Sequence, residues 1–193
     1  MSNGLVTLNA DGTAGTWNTT TALTSGGNDS QSVAIANGYV YLVGNGTALA
    51  YAKMNTDGTL SGPNWTNNPT SLPNARGSGQ VAVLNGYIYY IGGNTGGTYH
   101  ANTFYAPLNS STGAIGTWSC QGSGGDCSGV TPANATTLPA GRGRLPSSTL
   151  AANGYVYVIS GYDGSADQAT VYYTSTARTQ IAGSLDLVGI SGE

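Results

Sequence analysis

Cys120 and Cys127 stand seven positions apart in a stretch of Gly and Ser. A metal site would want more ligands, the only histidine is His100, and the spacing is not that of a Cys-x-x-Cys redox pair. A local disulfide is the expected reading, with two free thiols as the alternative. A disulfide would imply an oxidising compartment, extracellular or at the cell surface. Its short loop would stabilise by roughly 2–3 kcal/mol at most. Arg76 and Arg142 each follow a Leu-Pro-x-x, at Leu72-Pro73 and Leu138-Pro139. Recurrence at one position points to hydrogen bonds between repeated units; the sharper reading is a planar cation suited to carboxylate or sugar hydroxyls. Arg144 lies off that register, as a solvated charge or a contact. His100, after Tyr99 on a Gly-Thr loop, is read as a surface residue rather than a catalytic one. Tyr162 precedes Asp163-Gly-Ser165-Ala-Asp167, which has oxygens at positions 1, 3 and 5 as a calcium loop would begin. It lacks the later bidentate Glu, so no metal is expected. Asp163 and Asp167 could be neighbours, as a glycosidase requires of its carboxylates, but no positioned acid–base partner stands out. There is no Gly-x-Ser-x-Gly and no phosphate loop, and no cofactor is implied.

Composition narrows the classes further. Charged residues make up 7% of the chain, against about 25% in an average soluble protein. Five basic residues and a net charge of −3 argue against nucleic acid, whose phosphates need clustered Lys and Arg. No apolar run approaches the ~20 residues of a membrane span. At 193 residues the chain can bury a core in one domain. Met1-Ser-Asn-Gly leads straight into a repeat, so a chain cut from something longer is favoured over one whose signal was removed. Asn-x-Ser/Thr occurs at Asn18, Asn28, Asn45, Asn64, Asn109 and Asn134, and matters only in a source that glycosylates.

The elements that must position these residues come in repeats. Asn37-Gly38, Asn85-Gly86 and Asn153-Gly154 each sit between two apolar runs, and the second run opens Tyr-Val-Tyr or Tyr-Ile-Tyr and closes on glycine. Asn-Gly favours the pair of positive φ angles of a type I′ hairpin. A second hairpin follows, turning at Asn55 to Gly58 and at Asn109 to Gly113, and ending on Trp65 and Trp118. The same hairpin stands alone at Leu5 to Trp17, and a worn copy spans Val171 to Val188. Each unit is thus strand a, Asn-Gly, strand b, glycine loop, strand c, turn, strand d. Expected boundaries are 1–30 for the orphan hairpin and linker, then units at 31–78, 79–143 (with the cysteine loop inserted) and 144–193. The tryptophans are expected in the core or between units.

Four antiparallel strands in about 50 residues, with glycine after the second, is the pattern of a β-propeller blade. The chain resembles kelch repeats of the galactose-oxidase-like bacterial type over nearly its whole length. The double glycine is intact only at Gly92-Gly93; its counterparts are Gly44-Asn45 and Ser160-Gly161. The copper chemistry of galactose oxidase needs two histidines and a Tyr–Cys cross-link, which this chain cannot supply. The resemblance implies an all-β fold, three full blades plus an N-terminal hairpin, and a non-enzymatic recognition role. A meander puts the a–b and c–d turns at one end and the irregular b–c and d–a loops at the other. Those loops carry Arg76, Tyr99, His100, Arg142, Arg144, Tyr162, Asp163 and Asp167, the candidate site for a glycan or protein. A self-assembling surface-layer or filament subunit and a hydrolase fragment are the alternative functions. Three and a half blades leave two bare blade faces, so self-association into a homo-oligomer or filament is expected, against a compact four-bladed ring.

Overall fold

The structure is a computed structural model that describes residues 10–17, 19–23, 30–122, 127, 132–134, 137–146 and 151–175. The regular elements among them are strands. β1 (Gln31–Ala36), β2 (Tyr39–Gly44), β3 (Leu49–Lys53) and β4 (Thr66–Asn67) form a four-stranded antiparallel meander in chain order. The second unit repeats it with β5 (Gln80–Leu84) and β6 (Tyr87–Ile91). A small hairpin, β7 (Asn94–Thr95) and β8 (Thr98–Tyr99), then interrupts before β9 (Thr103–Pro107) and β10 (Ser119–Gln121). β11 (Pro132–Asn134) adds a parallel edge to β10. The third unit is β12 (Ala151–Ala152), β13 (Tyr155–Ile159) and β14 (Val171–Ser175). The expected last d strand, 185–190, lies outside the described residues, as does the first strand of the N-terminal hairpin.

Local chemistry explains the repeat. Both residues of each Asn-Gly pair have positive φ: 51° and 76° at Asn37 and Gly38, 53° and 80° at Asn85 and Gly86, 52° and 80° at Asn153 and Gly154. That is the I′ signature, whose twist matches the strands it joins. After strand b, positive φ recurs at Gly44-Asn45, Gly92-Gly93 and Ser160-Gly161. The backbone therefore keeps the double-glycine conformation where Asn or Ser has replaced glycine. At the opposite end, the Met54 and Leu108 amides donate to the Gly38 and Gly86 carbonyls, both at 2.8 Å, tying each c–d hairpin to its own a–b turn.

The three sheets stack face on face. Along each strand alternate side chains serve two different neighbours, which is why the runs read as continuously apolar. One face of the first sheet carries Ala34, Tyr41 and Val43; it meets Val81, Ile88, Tyr90, Phe104 and Trp118 of the second, and the disulfide joins this core. The other face of the second sheet, with Ala82 and Ile91, meets Val156 and Val158 of the third. Tyr39 also reaches across the first seam, donating its hydroxyl to the Ser111 carbonyl at 2.9 Å. A tyrosine triad marks the same face of every sheet: Tyr39, Tyr41 and Tyr51, then Tyr87, Tyr89 and Tyr105, then Tyr155, Tyr157 and Tyr173. Its exposure rises along the chain, from buried Tyr41 to Tyr173 at 69% exposed. Among the described residues the sheets form an open arc and close no ring.

Trp118 is buried, but Trp65 is only half-buried and Trp17 is 82% exposed. Of the three, expected in the core or between units, Trp118 lies in the core and Trp65 donates its indole N–H to the Thr21 carbonyl at 3.2 Å, whereas Trp17 stands exposed.

Candidate functional site

The b–c and d–a loops zip together into one backbone ladder at the end of the arc away from the Asn-Gly turns. Gly46 and Arg76 exchange both hydrogen bonds at 3.0 and 2.9 Å, Gly77 and Asn94 at 3.0 and 2.8 Å, and Gly143 and Tyr162 at 3.0 and 2.8 Å. The Gly93 amide donates to the Arg142 carbonyl at 2.7 Å. Arg76-Gly77-Ser78 and Arg142-Gly143-Arg144 occupy the same place in successive units. Ser78 and Arg144 share a left-handed backbone, φ 53° and 51°. Their amide and carbonyl groups continue an inner ladder: the Ser78 amide donates to the Ser30 carbonyl (2.8 Å), and the Leu145 amide to the Ser78 carbonyl (3.1 Å). Loops held this way form a rigid surface.

Two of the predicted site residues are used up inside that ladder. Arg76 is 3% exposed; its guanidinium donates to the Ala75 carbonyl (3.0 Å) and to Asn102 Oδ1 (3.2 Å) and lies 5.1 Å from the Phe104 ring centre. Arg142, 2% exposed, repeats the arrangement with the Gly141 carbonyl (2.9 Å), Thr170 Oγ1 (3.2 Å), the Tyr172 hydroxyl (2.8 Å) and the Tyr172 ring (5.1 Å). Both arginines thus bind the next unit, the first of the two roles weighed for them. His100 is buried, not on the surface as expected, and its amide donates to the Gly93 carbonyl at 3.0 Å. The loop that carries it is drawn under the ladder because its carbonyl accepts from the Arg142 amide at 3.0 Å.

The remaining residues gather at one outer corner. Arg144 is exposed, with its guanidinium carbon 4.4 Å from the centre of the Tyr162 ring. Tyr99, at the end of β8, meets Tyr162 edge-on with ring centres 5.3 Å apart. Both rings are half-buried. Glycines make room for them: a Cβ on Gly143 would stand 2.9 Å from Tyr99 Cδ1, and one on Gly164 3.1 Å from Tyr99 Cδ2. Asp167 bridges the Tyr162 backbone. Asp163 is a turn former. Its Oδ1 accepts from the amides of Ser165 and Ala166 and the Ser165 hydroxyl, at 2.8, 2.9 and 2.8 Å, and its Oδ2 from Gln168 Nε2 at 2.6 Å. The Ala166 and Ser165 amides, the Ser165 hydroxyl and, more weakly, the Arg142 charge hold its carboxyl down to about 2. These donors take up the oxygens that a calcium loop would aim at a cation.

Sequence reasoning named Tyr99, Arg144 and Tyr162 but did not bring them together. It missed Asn102 and Thr170, which anchor the buried arginines. Aligning the two Arg-Gly loops would have shown that Arg144 replaces Ser78 while Tyr162 replaces Asn94.

No family model and no curated protein matches the chain. Among solved structures, one titled "Structure of YjhT" is similar over 70% of this chain and 34% of that chain, at 22% identity and a TM-score of 0.47. The chain therefore spans about a third of the length of that structure. A likeness of this size does not bear on what the chain binds.

Proposed function

We propose that the chain is an arc of kelch-like propeller blades with a recognition role outside the cell, and that it binds a glycan at the Tyr99–Tyr162–Arg144 corner. One observation carries the reading. Where the first seam has Ser78 and Asn94, the second has an exposed arginine stacked on a tyrosine, 4.4 Å apart, on the same backbone. The inter-unit bonds are already made by Arg142, so the Arg144 side chain is not required to hold the fold. A sugar can lay its C–H face along a tyrosine while its hydroxyls or a carboxylate take the planar N–H fork of the guanidinium. The ladder beneath pre-orders both groups, which lowers the cost of binding. Binding rather than turnover fits the carboxylates: Asp163 is held ionised by its own turn, whereas a general acid needs its pKa raised. The disulfide supports an oxidising, extracellular setting.

The test is a glycan array probed with the chain, followed by titration of the best binder. Tyr162→Ala is expected to weaken binding at least tenfold, about 1.4 kcal/mol. An array without any bound glycan would sink the proposal, and a protein ligand captured at the same corner would replace it.

A further inference from the structure

The two ends of the arc are complementary. At one end nothing among the described residues covers the face of β1–β3 opposite the tyrosine triad, where Val33 and Ile35 are exposed, Ile35 at 62%. The same face of the second unit, Val81 with Ile88 and Phe104, is buried under its predecessor. At the other end nothing among the described residues covers the tyrosine face of the third unit: Tyr155, Ile159, Val171 and Tyr173 are all exposed. Its counterpart in the first unit, around Tyr41, is buried under its successor. Each bare face is thus the repeat of a face that this chain elsewhere buries against the other type.

The outer rim of the missing contact is already in place. The Leu60 amide donates to Thr20 Oγ1 (2.9 Å), and Thr21 Oγ1 donates to the carbonyls of Leu60 (3.2 Å) and Gly62 (2.9 Å). The complete seam has the same bonds one unit later. The Ile115 amide donates to Asn68 Oδ1 (2.9 Å), and Thr70 Oγ1 to the carbonyls of Ile115 (3.0 Å) and Gly116 (2.9 Å). Residues 19–23 therefore lie where the outer edge of a preceding unit belongs, and among the described residues no inner strands of such a unit cover the first. β12, β13 and β14 are inner strands with an uncovered successor face.

We propose that a second copy of this chain docks head to tail, the tyrosine face of its third unit covering Val33 and Ile35 of the first, with residues 19–23 as the rim. The contact is heterologous, so it propagates or closes into a ring of arcs. It uses neither Arg144 nor Tyr162 and is independent of glycan binding.

Sedimentation velocity over a concentration series tests it, with Ile35→Glu and Tyr173→Glu. Both positions are exposed, so both variants keep the fold, which circular dichroism checks. The wild-type chain is expected to gain mass with concentration, and each variant alone to stay monomeric. Mixed in equal amounts they should form a dimer and nothing larger, because one sound end remains on each. A wild-type chain that stays monomeric overturns the proposal, whether its ends are covered by its own residues or need no cover. So does either variant still self-associating, or a mixture that stays monomeric.

Discussion

The seam between the first and second units and the seam between the second and third are built on the same positions. In both, a buried arginine reaches into the next sheet, and a left-handed residue two positions later starts the next unit. Around that shared frame the fillings differ. The first seam is closed by large groups: the Tyr90 hydroxyl accepts from the Gly79 amide at 3.1 Å, and Trp118 and the disulfide belong to the same core. The second has Val158 and Leu145 in a smaller core. Its distinctive residues, Arg144 and Tyr162, face outward. The difference separates what recurs in order to hold units together from what departs from the repeat and is free to bind.

The frame should be the most sensitive part. Gly92 has φ +63°, and a Cβ there would stand 2.5 Å from the Arg142 carbonyl oxygen, a backbone atom that the ladder holds. Gly92→Ala should cost more than about 4 kcal/mol or abolish folding, the range reached only by named structural clashes. Gly86→Ala, at φ +80° with nothing within 4 Å, should cost only about 1–2 kcal/mol of backbone strain. Urea midpoints that fail to separate the two would break the account of the ladder.

Next come the arginines. Arg76→Met removes two side-chain hydrogen bonds and Arg142→Met three, and each removes a cation–ring contact, so each should destabilise by roughly 2–4 kcal/mol. Similar losses from both in thermal unfolding would support one shared role.

A pH ramp distinguishes the seams. Burial, only partly offset by the Gly79 hydrogen bond and the Arg76 charge, pushes the Tyr90 phenol up to about 12 from an ordinary 10. Burial, with Tyr39 and Tyr51 adding to it, does the same to Tyr41. The folded state thus favours the neutral phenols. Their contribution is intact below pH 10 and declines as pH rises towards 12, by up to roughly 3 kcal/mol for Tyr90. Tyr41 and Tyr90 both face the first seam, and the third sheet has Val158 where the second has Tyr90. Protection against hydrogen exchange, corrected for the base-catalysed intrinsic rate, should therefore fall first in β2, β5 and β6. A uniform fall of that corrected protection along the arc would contradict this.

Reduction of Cys120–Cys127 should have a modest effect, at most about 2–3 kcal/mol, because it opens only a short loop. Alkylation of both cysteines should require reductant, and the sheets should persist by circular dichroism after it.

Much of the frame was legible in the sequence, because turn chemistry is local. Asn37-Gly38 and its two repeats demand one turn type, and alternation beyond them fixes which side chains share a face. The disulfide was expected from the spacing and surroundings of its cysteines, with two free thiols as the alternative. Burial against a neighbour was not legible. The recurrence of Arg76 and Arg142 pointed to bonds between units, but nothing local says that His100 is drawn under the ladder, or that Trp17 stays in solvent while Trp118 does not. Those outcomes depend on whether the next sheet is present. The small hairpin of β7 and β8 was hidden inside a loop, since Asn94-Thr95 and Thr98-Tyr99 are too short to show a period. The candidate residues were named on one loop face, but their contact was not legible for a related reason: Tyr99 and Tyr162 come from different units and meet only through the seam.

The most direct measurement is therefore an exchange of fillings on an unchanged frame. Arg144→Ser with Tyr162→Asn gives the second seam the residues of the first, at a backbone angle that Ser78 already tolerates. Titration of this double variant with the best glycan should show binding lost by tenfold or more while the melting temperature stays close to that of the parent chain. Unchanged glycan affinity, or affinity lost only together with the fold, would contradict the claim that the corner exists to bind.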